Sequence, residues 1–223
     1  MTALAHPVEE LLRAAAEWRL IGLLLECPSA QWRVRVNELA HEVADADLSD
    51  AVVQAGEHAS EGLYHSTFGP GGPAPPREAT HRDTLQLGYL ISELEAFYNS
   101  FGYQPDEHEP PDHISVEAGF VAYLKFKEAY AMACGDAEAA EVTAAACREF
   151  LSEHLASTAG PLTGMLAASG VPYLEATARA LARRAGAPKQ RFLVLGAENL
   201  NDGEDHFGCG EAAPPVEGEA QFL

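Results

Sequence analysis

The chain is poor in base. Its 14 lysines and arginines stand against 34 aspartates and glutamates, a formal charge of −20 over 223 residues. A phosphate backbone rewards a basic face, so this balance excludes a nucleic-acid binder and disfavours anionic membrane surfaces. It permits a basic partner such as an arginine-rich peptide. The few bases are unevenly placed. Residues 179–191 hold Arg179, Arg183, Arg184, Lys189 and Arg191 and no acid, whereas residues 196–223 hold seven acids and no base. Cysteine is also scarce: Cys27, Cys134, Cys147 and Cys209 are scattered, with no CxxC pair. This excludes a disulfide framework. No apolar run reaches the ~18 residues that a membrane-spanning helix needs. The N-terminal stretch has no basic region followed by an apolar run and cleavage site. The expectation is a cytoplasmic protein with no stable membrane association. GxxxxGK[ST], a strand followed by GxGxxG, and GxSxG are all missing, so no nucleotide cradle or nucleophile elbow is expected. No cysteine has a histidine at a recognisable catalytic spacing. No catalytic residue and no cofactor of its own is therefore assigned.

Period-two alternation is almost absent, and "RFLVLGA" at 191–197 is the sole strand-like run. What the chain has instead is helical periodicity, with 47% hydrophobic residues to build a core. Residues 7–26 carry Leu11, Leu12, Ala15, Trp18, Leu20, Ile21, Leu24 and Leu25 on one broad face. A second helix begins near Ser29, and a third runs from Ser49 through Phe68. "GPGGPAPPRE" at 69–78 holds four prolines and three glycines in ten positions, an ordered loop or hinge. Helix resumes near Glu78 and ends at Gly102. Ile114 to Tyr130 is apolar nearly all round and so should be a central helix. A further helix carries Phe150, His154 and Leu155, Pro161 opens another, and "YLEATARALARRAG" is the last. The predicted fold class is all-α, a single-domain bundle of about eight helices over residues 1–195. Residues 196–223 form an acidic tail with the composition of disorder. The two proline-bearing connectors could let helices exchange, so a monomer or a helix-swapped dimer is expected.

The second connector, "YQPDEHEPPDHISVE" at 103–117, concentrates five carboxylates and two histidines. His108, Glu109, Asp112 and His113 offer N and O ligands for a metal-dependent hydrolase. However, Pro110 and Pro111 oppose the helix that would align them, and ligands would have to converge from several loops. Asp112 is also placed to cap the following helix. His113 is a group able to titrate near neutrality.

The ordered set "LYHSTFGPGGPAPPRE", "LISELEAFYNSFGY", "EPPDHISVEAGFVAYL" and "FLSEHL" resembles the TorD/DmsD/NarJ family of molybdoenzyme maturation chaperones. The matching motifs span residues 63–155, and the Glu-x-Pro-Asp-His signature falls on Glu109, Pro111, Asp112 and His113. A tryptophan that this family often carries after the His-Leu pair is replaced here by "ASTAG". The resemblance implies a TorD-like helical chaperone without catalysis. Such a protein binds the catalytic subunit of a molybdopterin oxidoreductase of the dimethyl sulfoxide reductase family, often through its twin-arginine signal peptide. It assists insertion of the molybdopterin guanine dinucleotide cofactor and delays export. On that basis the peptide-binding residues are Glu109, Asp112 and His113, with Tyr64, Phe68, Tyr98 and Tyr103 as groove walls.

Overall fold

A computed structural model describes residues 5–82, 87–105 and 109–188. Among them, nine α-helices follow one another: α1 (Ala5–Leu24), α2 (Trp32–Ala40), α3 (Ala46–His58), α4 (Glu61–Phe68), α5 (Leu87–Phe101), α6 (Ile114–Cys134), α7 (Ala137–Phe150), α8 (Ala156–Ser169) and α9 (Pro172–Ala185). A 3-10 turn, Glu78–His81, precedes α5, and a π-helical turn, Leu151–Leu155, joins α7 to α8. The described residues contain no strand, and the chain is all-α as its periodicity predicts. The strand-like run at 191–197, the expected boundary at 195 and the acidic tail lie outside the described residues.

Local chemistry sets the boundaries. Asp45 caps α3 by accepting from the Leu48 amide at 3.1 Å, and Ser60 caps α4 by accepting from the Leu63 amide at 3.2 Å. The Ser60 cap splits what the apolar pattern presents as one long helix over 49–68. Pro161 departs from expectation in the opposite sense. It sits inside α8 instead of opening it, so the chain is helical without a break from Ala137 to Ser169. A proline suits the first turn of a helix, but here the π turn upstream carries the helix past the expected boundary.

Helix α6 is the central element. Every residue from Ile114 to Ala122 is buried, as its encircling apolar pattern predicts. It packs most extensively on α1 and next on α7. The α1 contact is close because glycines meet there: a Cβ on Gly22 would lie 3.0 Å from the Ser115 carbonyl oxygen. Gly22 is near the end of α1 and Ser115 near the start of α6, so the two helices run antiparallel. Phe120 of α6 anchors an aromatic cluster, with ring centroids 4.9 Å from Tyr98 and 4.8 Å from Phe150. Each such buried ring contributes roughly 1.5–3 kcal/mol by burial. Three of the clustered bases are committed to structure. Arg184 of α9 bonds Glu17 at 2.8 Å and Asp45 at 2.9 Å, Arg183 bonds Asp45 and Asp47, and Arg179 bonds Asp47 and Glu175.

Candidate functional site

The α1–α6 contact opens into a groove of about 870 Å³. Its floor is apolar: Leu12, Ala15 and Ala16 from α1, and Val116, Gly119, Ala122, Tyr123 and Phe126 from α6. A side chain at Gly119 would fill it, since a Cβ there would lie 2.6 Å from the Tyr103 hydroxyl. At the end formed by the close of α1 and the start of α6, Glu26, Glu61 and Glu109 line the rim together with Arg19 and Arg35. Glu26 is already neutralised, by Arg19 at 2.9 Å and Arg35 at 3.6 Å. Among the described residues Glu61 pairs only with His65, at 3.6 Å, with its side chain 74% exposed.

Glu109 is held from behind. The Tyr64 hydroxyl donates to its Oε1 at 2.7 Å. The same hydroxyl lies 3.2 Å from His113 Nε2. On the other side of the ring, Nδ1 accepts from the Ser115 amide at 3.2 Å and lies 2.6 Å from the Ser115 hydroxyl. An amide can only donate, so the ring proton sits on Nε2. The result is a directional chain from Ser115 through His113 and Tyr64 to Glu109. Burial and the nearby Arg77 charge push the His113 pKa down to about 3. His113 therefore stays neutral through the physiological range, and the titration near neutrality expected from its type is not available. Burial and the bond to Glu109 push the Tyr64 hydroxyl upward.

Asp112 turns the other way. Its side chain is fully buried, and Arg77 binds Oδ1 through Nε at 2.9 Å and Nη2 at 2.7 Å. The Ala79 amide reaches Oδ2 at 3.3 Å. Asp112 does not cap α6. That role falls to His113, whose Nδ1 receives the Ser115 amide. Backbone bonds reinforce the joint: the Glu78 amide donates to Asp112 O at 2.8 Å, and the Ile114 amide to Pro76 O at 2.9 Å. The proline-rich loop is thereby tied to the connector. Beneath it, Glu78 is fully buried, 3.1 Å from His154 Nδ1 and paired with Arg82. Glu117 is buried beside them. Burial first, then the charges of Glu78 and Asp112, raise its pKa well above the usual carboxylate range.

The structure thus brings Glu109, His113 and Tyr64 together and leaves Asp112 apart, on Arg77. Tyr103 lines the groove, half-buried. Tyr98 is buried and donates to the Pro111 carbonyl at 2.8 Å, while Phe68 is buried edge-on to Tyr64 at 5.2 Å. Neither reaches the groove lining. His108 lies outside the described residues, and among the described residues no group of three or more His, Cys, Asp and Glu side chains could hold a metal ion. The sequence alone singles out neither Arg77, Glu117 nor the α1 wall, and marks Glu78 and His154 only as helix residues. A glutamate inside the apolar run "ISVEAGFV" and a glycine mid-helix are the signals that mark Glu117 and Gly119.

A family model described as the nitrate reductase delta subunit matches residues 36–163. The chain belongs to the nitrate reductase delta subunit family. The matched stretch holds the connector, the proline-rich loop and α6, so within this family the signature and the α6 wall lie in the shared part. The α1 wall of the groove precedes it. A curated relative, the selenate reductase assembly chaperone protein of Thauera selenatis, is 32% identical over 121 residues, 53% of this chain and 55% of the relative. The chain spans about half the length of that relative. No described helix is long and apolar enough to cross a membrane.

Proposed function

We propose that the chain is an assembly chaperone for the catalytic subunit of a molybdopterin oxidoreductase of the dimethyl sulfoxide reductase family. It acts in the cytoplasm and without catalysis of its own. In this reading the α1–α6 groove takes the twin-arginine signal peptide of that subunit. Occupation of the groove delays export while the molybdopterin guanine dinucleotide cofactor is inserted. The helical bundle over residues 1–195 is the working domain.

The observation that carries the reading is the pairing, in one groove, of an apolar floor with two carboxylates at one end, Glu61 and Glu109, that have no lysine or arginine partner among the described residues. Such a peptide has a basic portion followed by a mildly apolar one, and the groove offers a complement to each. Burial of the apolar portion supplies most of the affinity, and charge supplies encounter rate and discrimination. The family membership and the name of the Thauera selenatis relative support the chaperone class.

Calorimetric titration with a synthetic twin-arginine peptide, beside a Lys-Lys control, tests it. Binding on the order of micromolar is expected. It should weaken with salt and fall about 5-fold in Glu109→Gln, the loss of one charge-assisted contact worth roughly 1 kcal/mol. Absence of binding to any such peptide would move recognition to the mature subunit.

A further inference from the structure

Resting on that reading, we infer that the groove is read in one direction. The basic end of the bound peptide lies against Glu61 and Glu109, and its apolar portion runs parallel to α6, toward Phe126 and Tyr130.

Three observations carry the polarity. First, the free negative charge is confined to one end. Of the rim carboxylates, Glu26 is held by Arg19 and Arg35. Glu61 and Glu109 have no arginine or lysine partner among the described residues. The Tyr64 hydroxyl takes only Oε1 of Glu109; Oε2 lies 3.8 Å from His113 Nε2, and the side chain, 23% exposed, lines the groove. Two such carboxylates match two cationic side chains.

Second, the apolar surface extends the other way. Because α1 and α6 are antiparallel, the floor leads from Ser115 at the acidic end to Leu12 and Phe126 at the far end. From Ser115 to Phe126 is a helical rise of roughly 16 Å. Leu12 and Phe126 are 43% and 53% exposed, large apolar groups left in solvent.

Third, the apolar stripe continues beyond the groove. Tyr130 follows Phe126 by four residues, on the same face of α6, and is 65% exposed. A reversed peptide would put its arginines over Leu12, Phe126 and Tyr130 and its apolar residues against Glu61 and Glu109. That arrangement desolvates two carboxylates without pairing them.

The test uses the full chain and two twin-arginine peptides. One carries a benzophenone immediately before the arginine pair, the other a benzophenone after the apolar segment. After calorimetry has shown that each binds, irradiation and peptide mapping locate the adducts. The expected result is adducts from the first probe on residues 26–29, 61, 103–105 and 109, and from the second on Leu12, Phe126 and Tyr130. Phe126→Ser with Tyr130→Ser should weaken the full peptide about 10-fold. Exchanged adduct patterns, or both probes marking both ends equally, overturn the polarity and leave the groove reading standing. Adducts away from the groove overturn the groove reading and the polarity with it. A failure to bind in the calorimeter overturns both at the earlier step.

Discussion

Glu109 and Asp112 stand three residues apart in one connector and occupy opposite environments. Glu109 lies on the groove rim, its side chain 23% exposed and held by a neutral hydroxyl. Asp112 is fully buried and bound by a guanidinium at two nitrogens. The charge of Asp112 is consumed in joining the proline-rich loop to α6, and the charge of Glu109 is left facing the groove. One short motif therefore divides into a half spent in the buried joint and a half that faces the groove. His113 belongs to both, since it caps α6 with one nitrogen and supports Tyr64 with the other.

The largest effect expected from this contrast is on stability. Arg77→Ala leaves Asp112 buried without its cation, and loss of one partner of such a pair costs about 3 kcal/mol. Asp112→Ala strands Arg77 instead. That side chain is already 40% exposed and can turn to water, so the cost falls to about 1–2 kcal/mol. Urea denaturation of the two variants beside Glu109→Gln should give the order Arg77→Ala, Asp112→Ala, Glu109→Gln, with the last within about 0.5 kcal/mol of the parent. Equal losses at Asp112 and Glu109 would erase the distinction between the two halves.

The two halves were unequally legible in the sequence. Helical periodicity marks α6 as central because burial on all sides needs apolar residues on all sides. The connector marks itself by proline and charge. Which carboxylate faces inward depends on Arg77, 35 residues upstream, and no local pattern encodes such a partner. The α1 wall was hidden for a related reason. Its groove residues Leu12, Ala15 and Ala16 belong to the same apolar face as its core residues Leu20 and Leu24, and only the packing of α6 decides which of them stay partly open. Pro161 misled because its usual place at a helix start is a local preference, whereas here the π turn upstream continues the helix through it, and α8 packs on α9.

Acidity gives a second way to sharpen the comparison, because two buried groups pull in opposite directions. His113 has its folded pKa lowered to about 3 from an ordinary value near 6.5. The unfolded chain binds the extra proton first. Its stabilising contribution is therefore complete above about pH 6.5 and is lost as pH falls toward 3. Glu117 has its folded pKa raised. The unfolded chain ionises first, so its contribution is complete below about pH 4.5 and declines as pH rises toward the folded value. Each slope is at most about 1.4 kcal/mol per pH unit. Between pH 4.5 and 6.5 the two oppose each other, and the parent should show a shallow profile. Glu117→Gln removes the descending part and should leave stability rising with pH across that window by about 1–2 kcal/mol. His113→Gln should do the reverse. A profile unchanged by Glu117→Gln would mean that its carboxyl is ionised in the fold, with Arg82 rather than burial setting its state.

The smallest effect tests the link between the halves. Tyr64 is the bridge: it donates to Glu109 and stands against His113 Nε2. Tyr64→Phe keeps the ring, its edge-on contact with Phe68 and its volume, and removes the hydroxyl alone. His113 Nε2 then loses its acceptor in a buried site, a cost of about 1 kcal/mol. Glu109 can recover water at the rim, so its share is smaller. The stability loss should therefore resemble that of a single hydrogen bond, and twin-arginine peptide affinity should change by no more than about 3-fold, because the carboxylate remains in place. A loss as large as that of Arg77→Ala would show that Glu109 is part of the buried joint. Abolition of binding with stability intact would show that the hydroxyl itself fixes the carboxylate for the guanidinium, and the division between supporting and contacting residues would then fall between His113 and Tyr64.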